Sequence, residues 1–224
     1  MSSFKLNLAQ YDGPDAKTIA AAMEAYGRPE DSEYGVLNCS AAEEVVFATI
    51  IRRVHQAVPQ LDEETEEITT RPVEKVTLLP VGIYPAKNRL EVYEGAVTSI
   101  DYVTNFLANE LALAVVVNQI QLDVADSVAK LEKNTQRFQL KSIRVSEYAH
   151  NSYMMGPYSP KFLDTASGME FLNEYVDFCT SAQVRFQGPR GRITVTVSPK
   201  SCFRYSLSEE DDKPHVQGLL RQLL

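Results

Sequence analysis

The stretch QVRFQGPRGRITVTVS, residues 183–198, decides the fold. Val184 and Phe186 alternate with polar residues, and Ile193, Val195 and Val197 do the same after Gly188-Pro189-Arg190-Gly191. Period-2 alternation on both sides of a glycine- and proline-bearing turn predicts an antiparallel hairpin with one buried face. The opposite face then displays Gln183, Arg185, Gln187, Arg192, Thr194 and Thr196, with Arg190 at the turn and no acid among them. Arginine forks pair bidentately with phosphate oxygens, and neutral hydroxyls and amides add hydrogen bonds, so this face suits an anionic partner. The outward positions lack aromatic residues, which argues against a base-stacking platform.

Reading outward from the hairpin, Cys202–Leu207 predicts a third strand. A helix from about Pro214 follows, with Val216, Leu219, Leu220 and Leu223 as its buried stripe. Upstream, Met169, Leu172 and Val176 predict a helix that ends near Phe178. Phe138–Tyr148 reads as a strand that shifts phase from Phe138 and Leu140 to Ile143 and Val145, which marks a bulge. If this strand shares the hairpin's sheet, Lys133, Arg137, Lys141 and Arg144 extend the basic face.

The first half follows the same alternation of types. Phe4–Leu8 reads as a strand. Ile19, Met23 and Tyr26 then give a helix stopped by Gly27, and residues 28–34 a polar loop. The run Val45, Val46, Phe47, Ile50, Ile51 and Val54 fits a long strand, with a helix over 41–53 as the competing reading. The acidic segment Asp62-Glu63-Glu64-Thr65-Glu66-Glu67 is expected at a hairpin tip. Ile68–Tyr84 reads as an edge or interrupted strand because of Pro72 and Pro80. Arg89–Glu94 completes an antiparallel meander. A long helix is expected over Ala96–Leu113, a strand over Val115–Leu122, a short helix ending near Asn134, and a structureless loop over Ala149–Asp164. Helices interrupting hairpins make the class α+β. The chain is expected to be one domain of residues 1–224, and a two-lobe division falls near Gly95, between an acidic 1–95 lobe and a more basic 96–224 lobe.

Net charge is −8, and it is unevenly spread. Residues 1–132 carry 21 acidic and 10 basic side chains, residues 133–205 carry 5 and 10, and residues 206–224 carry 4 and 2. Such a field bears on partners rather than fold. It points to a protein partner or self-association, and to nucleic acid through residues 133–205. The longest apolar run, Leu111–Val117, is too short for a membrane span, and the three cysteines have no framework or zinc spacing, so a reduced cytoplasmic setting without membrane contact is expected.

Chemistry-bearing motifs are sparse. His55, His150 and His215 lie in separate elements without a second ligand at metal spacing, and no phosphate-loop or nucleophile-elbow pattern occurs, so neither metal nor cofactor is expected. One segment, residues 146–160, concentrates Glu147, His150 and Tyr153, and an acid–base pair of Glu147 with His150 would need the turn to join them. The leading expectation is a non-catalytic binding or scaffolding component of an intracellular assembly. Its rivals are a nucleic-acid-binding protein using Arg185, Arg190, Arg192, Lys141 and Arg144, and an enzyme centred on Glu147 and His150.

Overall fold

The computed structural model describes residues 2–42, 44–61, 68–151 and 153–224, which form an antiparallel α+β fold. They divide into two compact units. The first holds Gln10–Tyr93 and Thr98–Asn118, and the second Met1–Ala9, Glu94–Val97 and Gln119–Leu224. The expected acidic tip at 62–67 lies outside the described residues.

In chain order the elements are β1 (Ser2–Asp12), α1 (Ala16–Tyr26), β2 (Tyr34–Ala42), β3 (Val45–Leu61), β4 (Ile68–Tyr84), β5 (Arg89–Tyr93), α2 (Ser99–Asn105), β6 (Val116–Gln119), α3 (Val124–Asn134), β7 (Gln136–Asn151), β8 (Met154–Tyr158), α4 (Thr165–Glu174), β9 (Cys179–Gln187), β10 (Arg192–Val197), β11 (Cys202–Leu207) and α5 (Lys213–Arg221).

The first unit is built on β2-β3-β4-β5. Its register stacks Val46 opposite Ile83, Ala48 opposite Val81 and Ile50 opposite Leu79, with Leu90 and Val92 of β5 alongside, all buried. Ile19 and Met23 of α1 and Val103 of α2 are equally buried, so the apolar stripe of each helix finds its sheet face. α1 starts where Asp15 accepts the Thr18 N–H at 2.8 Å, which holds the Asp15 carboxyl below its usual range. It stops at Gly27, whose φ of +59° few other residues adopt without strain.

The second unit's sheet runs β1-β11-β10-β9-β7-β8. Phe4, Tyr205, Val195, Val184 and Leu140 lie in one row across it. The last four of these, with Phe186 and Phe203, are almost fully buried, each large apolar side chain contributing about 1.5–3 kcal/mol. Buried stripes of α3 (Val124, Val128, Leu131) and α5 (Val216, Leu219, Leu220) complete the core. Gln217 of α5 donates to the Tyr205 hydroxyl at 3.0 Å. α4 lies so close to β7 that a Cβ on Gly168 would sit 3.1 Å from Leu140 and Phe162.

The hairpin turn has its own clamp. Asp212, 1% exposed, accepts the N–H of Arg190 at 3.1 Å and that of Gly191 at 2.9 Å. A Cβ on Gly188 would meet the Ile193 side chain and one on Gly191 the Ser208 hydroxyl, so a side chain at either position would force these neighbours to shift.

Several expectations need correction. The helix over 96–113 is limited to α2 and a π-helical turn at Phe106–Glu110, after which Leu113 bonds back to Leu107 and Ala112 turns left-handed at φ 49°. Residues 149–164 are not structureless: β7 continues to Asn151 and pairs with β8, and two register shifts conceal the alternation. The competing helix over 41–53 is a strand, and β2 had no expectation at all. β4 runs uninterrupted through both prolines. Val176 and Phe178 lie in a 3-10 turn and are 37% and 42% exposed, off the buried stripe. The 115–122 strand is only β6. No helix among the described residues is long and apolar enough to cross a membrane.

Buried groups yield two stability predictions. Asp212→Ala strands two turn N–H groups and should cost roughly 1–3 kcal/mol in a denaturant melt, with an unchanged midpoint showing that the turn holds without it. Burial pushes the Cys179 thiol up to about 11 and, with help from Asp12 and Asp15, the Tyr11 phenol up to about 12. Both groups stay protonated in the folded state after the unfolded chain has lost those protons, so their contribution is intact below pH ~8.5 and falls as pH rises to ~12. Denaturant melts over this alkaline range should show that decline, and Cys179→Ala should flatten its lower part.

Candidate functional site

Strict alternation across the second unit's sheet separates two chemistries. With Ala182, Val184 and Phe186 pointing into the core, Gln183, Arg185 and Gln187 of β9 face out. Arg192, Thr194 and Thr196 do so on β10, and Arg204 and Ser206 on β11. Ser3 and Lys5 of β1 and Gln139, Ser142 and Arg144 of β7 follow from their partners. No Asp or Glu occupies any of these positions.

Register sets the spacing of the cations. Lys5 lies directly opposite Arg204, and that row continues through Thr196, Gln183 and Ser142. The next row is Ser3, Ser206, Thr194, Arg185 and Gln139. Arg192 sits two residues before Thr194, a diagonal neighbour of Arg185 at about 7–8 Å. Five strands at ~4.8 Å spacing spread the surface over about 19 Å.

The cations of this face carry no compensating acid: Lys5, Arg144, Arg185, Arg192 and Arg204 hold no ion pair among the described residues. The Nε of Arg185 is shielded from solvent and has no hydrogen-bond partner among them. Like charges directly opposite on a sheet are unfavourable, and Lys5 with Arg204 is such a pair. Their field is felt locally: burial pushes the Cys202 thiol up, while Lys5 and Arg204 pull it back. Where β7 runs between β8 and β9, a cleft of about 410 Å³ is lined by Arg144, Ser146, Pro157, Thr180 and Ser181, one guanidinium among three hydroxyls.

The residues singled out from sequence do not all meet. Arg185, Arg192 and Arg144 share the face. Lys141 lies on β7 at the register shift between Leu140 and Ser142, beside them. Arg190 stands apart, its guanidinium bound to Asp211 and its N–H to Asp212. Lys5 and Arg204 were not anticipated. Their own alternations, Phe4-Lys5-Leu6 and Phe203-Arg204-Tyr205, would have turned them outward, but nothing local pairs β1 with β11.

The Glu147–His150 arrangement is different from an acid–base couple. No hydrogen bond or ion pair joins them among the described residues. The His150 ring instead packs edge-on against Tyr148 at 5.2 Å and Tyr158 at 5.8 Å, within a cluster that includes Phe171 and Tyr175. Tyr153 is 94% exposed. Among the described residues no three His, Cys, Asp or Glu side chains are grouped to hold a metal ion.

The first unit has a larger cleft, about 540 Å³, lined by Glu30, Asp31, Glu33, Arg52, Arg53, His55 and Glu74 among others. Its arginines are engaged. Arg52 pairs with Glu33 at 2.7 Å and lies 3.7 Å over the Tyr102 ring, and Arg53 pairs with Glu74 at 3.5 Å and donates to the Ser32 carbonyl. This network braces the 29–33 loop against β3 and leaves neither arginine for a ligand. The arginines of this cleft are thus held by acids and carbonyls, whereas Lys5, Arg144, Arg185, Arg192 and Arg204 on the second unit's sheet face are in no ion pair among the described residues. No family model matches this sequence, and no curated protein matches it.

Proposed function

We propose that the chain is a non-catalytic binding protein that takes a polyanion, the phosphate backbone of nucleic acid, on the open face formed by Lys5, Arg204, Arg192, Arg185 and Arg144. The observation that carries this reading is the Lys5–Arg204 cross-strand pair on a face free of carboxylates. A like-charge pair costs free energy in the unliganded sheet, and an anion lying across both converts that cost into attraction. Serine, threonine and glutamine between the cations supply hydrogen bonds to phosphate oxygens without reading bases. Recognition of this kind is independent of sequence, and with no aromatic at the outward positions it does not rely on stacking. The three free cysteines suit a reducing cytoplasm, where such a partner is abundant. A second reading, a subunit of a larger assembly, is favoured by the long ribbon of β3 and β4, much of whose surface is exposed.

The test is a titration of a mixed-sequence duplex and a single strand across a salt series. Each phosphate contact contributes about 0.9 to the slope of log affinity against log salt on duplex, so engagement of the five cations gives a slope of roughly −4 to −5. Arg185→Glu with Arg192→Glu should weaken binding by at least about tenfold and reduce the slope by about 2. Arg190→Gln should change little, since Asp211 already holds that guanidinium. Affinity that is absent at low salt, or indifferent to the double reversal, would show the face to serve another partner.

A further inference from the structure

Beyond Arg52, the last β3 residue paired with β2, and before Val81, the first β4 residue paired with β5, these strands pair only with each other. Arg53–Leu61 and Ile68–Val76 therefore form a free two-stranded ribbon about 30 Å long. A free ribbon exposes two unpaired backbone edges, which invite strand addition.

Two prolines of the ribbon, Pro59 and Pro72, interrupt those edges, and Pro80 lies on the same β4 edge just before β5 joins. The Arg53 N–H donates outward to the Glu33 carbonyl at 2.7 Å, so odd-numbered residues of β3 direct their backbone groups away from β4. Pro59 has that parity. Its partner relation, with Pro59 opposite Thr70, Ala57 opposite Pro72 and Thr49 opposite Pro80, places Pro72 and Pro80 at the equivalent outward positions of β4. No proline interrupts the ladder, and each removes a donor from an edge. What the ribbon offers a partner is its side-chain faces.

The two faces differ. One carries Val54, Gln56, Val58 and Gln60 with Lys75, Val73, Arg71 and Thr69. The other is built of successive rungs Ile51/Leu78, Arg53/Val76, His55/Glu74, Ala57/Pro72, Pro59/Thr70 and Leu61/Ile68. Its Arg53 and Glu74 form an ion pair with each other. Its aliphatic side chains are open: Leu61 59%, Ile68 75%, Val76 53% and Leu78 54% exposed. Apolar groups are thus concentrated at both ends of a self-neutralised face.

We infer that this face is a homodimer contact, in which the ribbons of two copies pack face to face and antiparallel about a two-fold axis. An axis between the His55/Glu74 and Ala57/Pro72 rungs sets Leu78 of one copy on Leu61 and Ile68 of the other, twice, and Val76 beside Pro59. The pattern is self-complementary, as an isologous contact requires. Charge selects the direction. Five of the six residues that join the strands in sequence are acidic, and the antiparallel direction sets the Leu61/Ile68 rungs of the two copies at opposite ends, whereas the parallel one sets them together. Each copy presents a footprint of roughly 300 Å², about 600 Å² for the pair, which is below the ~1,000 Å² of a stable specific contact, so the association is weak and depends on concentration.

Sedimentation of the full chain without nucleic acid, from about 1 to about 100 μM, tests this and leaves the polyanion reading to its own titration. The wild type should convert from monomer to dimer across that range. Ile68→Lys and Leu78→Glu, both at exposed positions, should each weaken the dimer by about tenfold or more while circular dichroism is unchanged. An equimolar mixture of the two variants should regain dimer. The ammonium introduced at position 68 of one copy then meets the carboxylate introduced at position 78 of the other, while the opposite end keeps its native aliphatic contact. A wild type that stays monomeric, single variants that dimerise normally, or a mixture that fails to recover would each overturn the inference.

Discussion

One row of side chains, Phe4, Tyr205, Val195, Val184 and Leu140, crosses five strands of the second unit, and the opposite face is a consequence of it. Side chains on a strand alternate with a period of two, so seating this row in the core fixes the register of every neighbour. A slip by one residue would turn Arg185 and Arg204 inward and Val184 and Phe203 into water. Burying an unpaired guanidinium costs several kcal/mol, and exposing a phenylalanine loses about 2–3 more. Hydrophobic packing thereby sets the basic surface, although no residue of the packed row takes part in it.

Position decides what an arginine can do. Arg190 and Arg192 are two residues apart, yet Arg190 is drawn to Asp211 at the start of the C-terminal helix while Arg192 faces out on the sheet. Arg52 and Arg53 are equally occupied, bracing the 29–33 loop. The same guanidinium chemistry thus does structural duty where an acid or carbonyl is near, and is left for a partner where the sheet supplies only hydroxyls and amides. The −8 net charge conceals this segregation, since none of the acids stands at the outward positions named on that face.

The two units solve the problem of exposed strand surface differently. In the second, helices cover one face and the other is made polar. In the first, the ribbon leaves the body of its sheet and its edges are interrupted by proline, a device that disfavours strand addition while preserving both faces. A ribbon with interrupted edges and an open aliphatic face meets partners by packing rather than by backbone pairing.

Local signals in the sequence determined a good part of the fold. The 183–198 hairpin, the helix ending at Asn134 and the C-terminal stripe of Val216, Leu219 and Leu220 are each set by residues close in the chain, through alternation, a capping aspartate or a glycine-bearing turn. Arg185, Arg192 and Arg144 were legible as outward residues for the same reason. What lay out of reach depended on contacts between distant segments. β8 has little alternation of its own and exists because β7 offers it an edge. The helical run begun by α2 stops after its π-helical turn, where Leu113 turns back to the Leu107 carbonyl. Lys5 and Arg204 become a pair only when β1 joins β11, from opposite ends of the chain, and the fate of Arg190 hangs on Asp211. Periodicity fixes which way a side chain points, but which charges then stand side by side is decided by strand pairing, and that is set by how well the assembled rows fill the core.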